Sequence, residues 1–437
     1  MGDKKLFIFG GLGLVAVLII LMVIILARGI GGGPGGSQQA NLEFWGVFDD
    51  AGDFRQAIDL FQSQNPGIRV NYRNFSFEEY ERQLINAFAS GQGPDIFLMH
   101  HTWLTKHGDK IAPLPQNIPG QDRPLLTLKE FREQFVDVAE QDLVRDGQIY
   151  ALPIYVDTLG LYYNKDIFNA NGIAQPPLIW EELNEIVEKI TQVNGQGEIT
   201  QSAIALGTSR NVNRSTDILA MLMLQSGLIL TEGPGQGTNF SATVGDQNVG
   251  EVALEYYTDF SNPRKKTYTW NGQQDFSIDA FREGKTAMMI NYAHHVQTFQ
   301  EQAPRFNFGT APIPQISGSS SKITYANYWA PTVAKSSKNQ IAAWQFLVSL
   351  SSRDGVTPYI NASNRPPARR DLIAIVQNDP NIGVFSGQAL TARSWYQPDP
   401  QAVESILAEV IDDVNFSRKS IREALRSAEQ QINVLLF

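Results

Sequence analysis

Tyr150-Ala-Leu-Pro-Ile-Tyr-Val-Asp-Thr-Leu-Gly-Leu-Tyr-Tyr-Asn-Lys-Asp-Ile-Phe168 is the stretch that decides how this chain is built. Pro153 breaks one extended segment, and the apolar run 159–163 predicts another, closed by the polar turn Asn164-Lys165-Asp166. Between them stand Tyr155, Asp157 and Thr158. Aromatic and polar groups on a strand-to-strand crossover suit the wall of a cleft, because burying a carboxylate in a core is costly.

Upstream, residues 42–47 read as a strand, Asp49 or Asp50 as the cap of a helix running through Phe61, and 68–74 as a second strand. Ser76-x-x-Glu79 has the form of a capping box for a helix with Tyr80, Leu84 and Phe88 on one face. A short buried strand follows at 96–99. This alternation predicts a parallel sheet with helices on both faces, which binds ligands beyond the carboxyl ends of its strands. Trp45, Phe48, Asp95 and His100 are read as lying near those ends.

Downstream, helices are expected at 180–190, 215–224, 252–260 and 277–282, with strands at 203–206 and 287–291. Residues 306–313 are expected to carry the chain back to the first lobe. An apolar helix follows at 341–350, and Ser420-x-x-Glu423 caps a last one with Ile421, Leu425, Ala428 and Ile432 on one face.

The 150–168 stretch resembles the hinge-crossing signature of the extracellular solute-binding proteins that serve ABC importers, the maltose-binding-protein-like class. Gly91-Gln-Gly-Pro-Asp-Ile-Phe-Leu-Met99 is similar to that family's turn and strand, and Phe281-Arg-Glu-Gly-Lys-Thr-Ala-Met-Met-Ile-Asn291 to its helix-to-strand step. Tyr328-Trp329, then Lys335-Ser-Ser-Lys338 and Ala343-Trp-Gln-Phe-Leu347, resemble its later aromatic-then-helix block. The resemblance implies an α/β, two-lobed periplasmic-binding-protein-like fold of type II. It also implies a small solute, an oligosaccharide above all, caught between closing lobes and delivered to an ABC permease. The expected first lobe comprises 41–154 with 312–355, and the second 155–311 with 356–437. The alternatives are a membrane-anchored extracellular carbohydrate-active enzyme and a solute sensor or scaffold on the same fold.

Composition fits that reading. The 437 residues suit two lobes, and 43% hydrophobic with 18% charged residues is ordinary for a globular core. A net charge of -10 argues against a nucleic-acid partner. With no cysteine there is no disulfide, thiolate metal site or lipid-modified cysteine tether. Residues 6–27 form instead an uncharged apolar run of 22 residues. As a helix it would reach about 33 Å, enough to cross a bilayer. Lys4 and Lys5 precede it and Arg28 follows, so the N-terminus 1–5 is expected in the cytoplasm. A cleaved signal peptide has a shorter apolar region and a small-x-small site, so an uncleaved anchor is expected, with a monomeric body outside the cell. Gly31-Gly-Gly-Pro-Gly-Gly36 makes 28–40 a flexible spacer of roughly 20 Å.

Among the tryptophans, Trp180 and Trp344 fall on apolar helical faces and read as core. Trp45, Trp103, Trp270, Trp329 and Trp395 fall at strand ends or in polar loops, where a ring can cover the apolar face of a sugar. Asp95, Asp157 and Asn291 are candidate partners for hydroxyls, with Asp95 also readable as a structural acid after Pro94. Where sugar-binding members of the family often carry a tryptophan plate, this chain has Tyr292-Ala-His-His295, so Tyr292 or His294 would stack instead. Arg369 is either a ligand contact or part of a surface turn. The histidines form two groups, His100, His101 and His107 and then His294 and His295, which would allow a metal only if both faced the cleft. No cofactor or metal is expected. Nucleophile-elbow, zinc-protease and phosphate-loop motifs are absent.

Overall fold

The structure, a computed structural model, describes residues 39–231, 233 and 236–436. The expected N-terminus 1–5, anchor 6–27 and most of the spacer 28–40 lie outside the described residues. Among the described residues no helix is long and apolar enough to cross a membrane.

Two large apolar cores divide most of the described chain, and a smaller cluster around Tyr162, Phe281 and Phe299 packs beside them. One large core draws on residues from Ala40 to Val156 and from Ala326 to Ala392. The other draws on residues from Leu159 to Tyr325 and from Trp395 to Ile432. Each core is built on a five-stranded sheet. In the first lobe the strand order is Ile68–Phe75, Ala40–Val47, Ile96–His100, Trp329–Ala334, Ile111–Ala112. The first three run parallel, with Ala40 opposite Ile68 and Phe44 opposite Ile96. Trp329–Ala334 returns antiparallel, with Trp329 opposite His100. Parallel pairing follows from the helical crossovers Ala51–Gln64 and Phe77–Ala89. In the second lobe the order is Phe308–Ala311, Gly160–Asn164, Thr286–Asn291, Ile199–Ile204, Gln192–Val193.

Local chemistry explains several helix starts. Asp53 accepts the Asp50 N–H at 2.7 Å where the first helix begins. Asn164 accepts from the N–H groups of Asp166 and Ile167 at 2.9 and 3.1 Å, opening Lys165–Ala170. The last helix, Ile421–Leu436, has the reciprocal box: Glu423 accepts the Ser420 N–H at 3.0 Å, and Ser420 Oγ accepts the Glu423 N–H at 3.3 Å. The box read at Ser76 does not form. Ser76 makes no side-chain cap, and Glu79 pairs with Arg82 at 3.2 Å instead.

The return crossings differ from expectation. Phe308–Ala311 does not lead back; it is the edge strand of the second-lobe sheet, hydrogen-bonded to Gly160–Asn164. The chain returns at Tyr325–Ala326, so Ile313 and Tyr325 belong to the second core. Val356, Tyr359 and Ile360 belong to the first, because Arg353–Ser363 folds back on Ala51–Gln64. A third passage follows at 392–395. The three passages form their own small sheet, with Asp157–Thr158 antiparallel and Ala392–Arg393 parallel to Thr324–Asn327. Between the lobes this hinge leaves a cleft.

Candidate ligand-binding cleft

The cleft has a volume of about 730 Å³, within the range of small-molecule sites. Its first-lobe wall is aromatic. Where the strand Ala40–Val47 ends, Phe48 takes φ 69° and turns its ring out of the sheet. It stacks on Phe77 with centroids 5.3 Å apart, and the two rings are 54% and 52% exposed. Two large apolar rings side by side in water are unusual unless something covers them. Trp329 opens the returning strand and is the hub of this wall. Its ring meets Trp103 edge-on at 4.9 Å, His100 at 5.3 Å and Phe48 at 5.9 Å.

Behind the wall, Asp49 accepts from Arg365 Nε at 2.7 Å and from the Tyr359 hydroxyl at 3.1 Å. Burial pushes the Asp49 carboxyl up, and the Arg365 guanidinium opposes that rise. Arg365 in turn lies 4.5 Å over the Tyr155 ring, whose hydroxyl accepts the Trp329 N–H at 3.2 Å. A buried ion pair thus fixes Tyr155, and Tyr155 fixes the backbone of Trp329.

The second-lobe wall is polar. Helix Ser215–Gln225 begins at Arg214, which donates Nε–H to Asp217 Oδ2 at 2.7 Å. The Tyr292 hydroxyl donates to the same oxygen at 2.6 Å. At the hinge floor Asp157 accepts the N–H groups of Ala293 at 2.8 Å and His294 at 3.4 Å, anchoring the helix His294–Gln302. Gln397 donates to the Tyr325 hydroxyl at 3.0 Å beside Trp395.

Two of the histidines here, His100 and His295, are held neutral. Burial, then neighbouring His101, keeps His100 well below the usual imidazole range, with Nδ1 2.7 Å from Thr102 Oγ1 and Nε2 3.2 Å from Asn327 Oδ1. Burial, then His294, pushes His295 down to about 2. His100, His101, His294 and His295 all line the cleft, whereas His107 does not. Among the described residues, no group of three or more histidines or carboxylates is arranged to hold a metal.

Of the residues singled out from sequence, Phe48, Trp103, Tyr155, Asp157, Tyr292, His294, Trp329 and Trp395 line this cleft. Trp45 does not. It faces away from Phe44 on the same strand and packs on Phe75 at 4.6 Å beneath the Arg73 guanidinium. Asp95 sits at the opposite end of its strand from the cleft, where it accepts the Glu43 N–H at 3.0 Å and Ser337 Oγ–H at 2.5 Å. Asn291 is buried behind the wall and supports Asn213, a lining residue, at 3.0 Å. Arg369 is neither a contact nor a surface turn; it is buried and ties Gln134, Asp371 and the Ser351 carbonyl together. Trp270 is core, with Nε1 donating to Asn211 at 3.2 Å. Phe77, Arg214, Asp217 and Glu404 line the cleft without having been foreseen. Phe77 carried a signal: an apolar residue just after a helix cap, outside the Tyr80–Leu84–Phe88 face.

A family model described as bacterial extracellular solute-binding protein matches residues 56–384. A putative binding protein of Brucella abortus (strain 2308) is 24% identical over 391 residues, covering 88% of this chain and 89% of that protein. The maltodextrin-binding protein MdxE of Bacillus subtilis (strain 168) is 26% identical over 379 residues, covering 82% and 80%. The cyclic α-maltosyl-1,6-maltose binding protein from Arthrobacter globiformis has the same fold, with a TM-score of 0.75 at 20% identity, covering 91% of this chain and 99% of that one.

Proposed function

The chain belongs to the bacterial extracellular solute-binding proteins, and from that membership we propose that it captures an oligosaccharide between its two lobes for an ABC importer. The observation that carries this reading is the cleft with an aromatic wall facing a polar one. Sugar rings have apolar C–H faces that gain by covering Phe48, Phe77 and Trp329. Their hydroxyls need hydrogen-bond partners once water is expelled, and in this reading Arg214, Asp157 and His294, which line the cleft, supply them. The names of relatives that bind maltodextrin and a cyclic maltosyl-maltose support the choice of an α-glucan or similar oligosaccharide.

A ligand touching both walls stabilises the closed arrangement over an open one, so capture is a population shift about the hinge sheet. The run 6–27 would hold the body at the outer membrane face, and 28–40 would let it turn toward a permease. The matched family and relatives are binding proteins, so ligand release unchanged rather than turnover is expected. Titration of the full chain with maltotriose and other trisaccharides, followed by melting temperature and product chromatography, tests this. A rise in melting temperature with intact sugar supports it; sugar cleavage, or no rise with any sugar, overturns it.

A further inference from the structure

Resting on the oligosaccharide reading, we propose that Arg214 and Asp217 form a charge-cancelled pair that selects uncharged, hydroxyl-rich sugars and turns acidic ones away. Arg214 holds φ 61°, a left-handed conformation unfavourable for any residue with a Cβ. Strain of that kind persists where the surroundings over-determine it. Here Nε–H and an Nη2–H both go to Asp217 Oδ2, while the guanidinium lies 5.6 Å over the Tyr292 ring. Asp217 stands in the first turn of its helix, where the backbone dipole favours a negative charge. Of the five N–H donors on the guanidinium, the remaining three take no protein partner among the described residues, and Arg214 lines the cleft. The site therefore offers a rigid fork of donors with its charge already matched, which suits hydroxyl and ring oxygens.

The rest of the lining points the same way. Its other arginines are also committed, Arg82 to Glu79 at 3.2 Å and Arg365 to Asp49 at 2.7 Å. Glu78 and Glu404 line the cleft with no ion pair among the described residues. An acidic sugar would meet surplus carboxylates and no uncommitted cation, a repulsive element that discriminates against it.

Calorimetry on the full chain in mild detergent, with maltotriose, cellotriose, β-1,4-galactotriose, β-1,4-mannotriose and trigalacturonate, tests the proposal. The wild type is expected to bind its best neutral trisaccharide at least tenfold more tightly than trigalacturonate. Arg214→Gly suits φ 61°, should stay folded, and should lose at least tenfold in that affinity. Asp217→Asn should uncover the guanidinium charge and narrow the neutral-to-acidic ratio at least threefold. Should Arg214→Gly fail to fold, the wild-type ratio and the Asp217→Asn ratio decide. Trigalacturonate binding as tightly as the best neutral sugar, or a folded Arg214→Gly binding like wild type, overturns the selective pair and leaves the oligosaccharide reading standing. No binding of any of the five sugars overturns both.

Discussion

Trp329 is buried on most of its surface, 5% exposed, yet stands at the centre of the aromatic wall. Truncating it removes packing and ligand contact together, so two variants are needed. Trp329→Ala is expected to cost roughly 3–5 kcal/mol in stability, whereas Trp329→Phe should keep the fold and weaken saccharide binding about tenfold in calorimetry. His295 gives a second residue-scale test. Its folded-state value is depressed to about 2, far below the unfolded ~6.5. The unfolded chain therefore binds the extra proton, and the stability this histidine supplies is whole above that value and lost as pH falls. Between pH 6.5 and 5 the loss is about 2 kcal/mol, and His295→Gln should flatten that part of a urea-denaturation series. An unchanged slope would show His295 titrating normally. At this scale sequence reading was uneven for a physical reason. Aromatic residues at strand ends reveal themselves by being out of place in a pattern. The role of Arg214 depends on a φ angle and on Asp217 and Tyr292 arriving from elsewhere, which no local pattern encodes.

Among the elements, the amphipathic helices were the most legible, because a periodic apolar face and its burial are the same fact seen twice. Leu425, Ala428 and Ile432 are buried in the last helix as their spacing demands. Edge strands were the least legible. Phe308–Ala311 is half-buried and four residues long, and only its pairing with Gly160–Asn164 makes it a strand. Capping boxes lie between, since a matching motif still competes with other partners. That contrast is measurable. Ser420→Ala breaks a formed box and should cost about 1 kcal/mol in urea denaturation, while Ser76→Ala, where no cap bond exists, should cost only a few tenths. Equal losses would contradict the geometry.

For the molecule as a whole, two cores joined by a three-stranded sheet are an arrangement in which hinge closure is the expected motion. Away from the hinge, Lys106 of the first lobe reaches Asp399 of the second at 3.3 Å and Glu81 of its own lobe at 3.0 Å. Asp399 also caps the helix Pro400–Asn415, accepting the Gln401 N–H at 3.1 Å. A bridge at the rim can only favour the arrangement in which the lobes approach. Being partly exposed, it is worth at most about 1 kcal/mol, enough to change the population of closed protein up to about fivefold. Lys106→Ala is therefore expected to enlarge the radius of gyration of the sugar-free protein in small-angle scattering at low salt, and to weaken saccharide binding less than fivefold. Both effects should fade near 1 M salt, where screening acts within about 3 Å. A radius and an affinity identical to wild type at low salt would mean the hinge sheet alone sets the lobe equilibrium. A collapse in affinity larger than the pair can supply would instead place Lys106 in contact with the sugar.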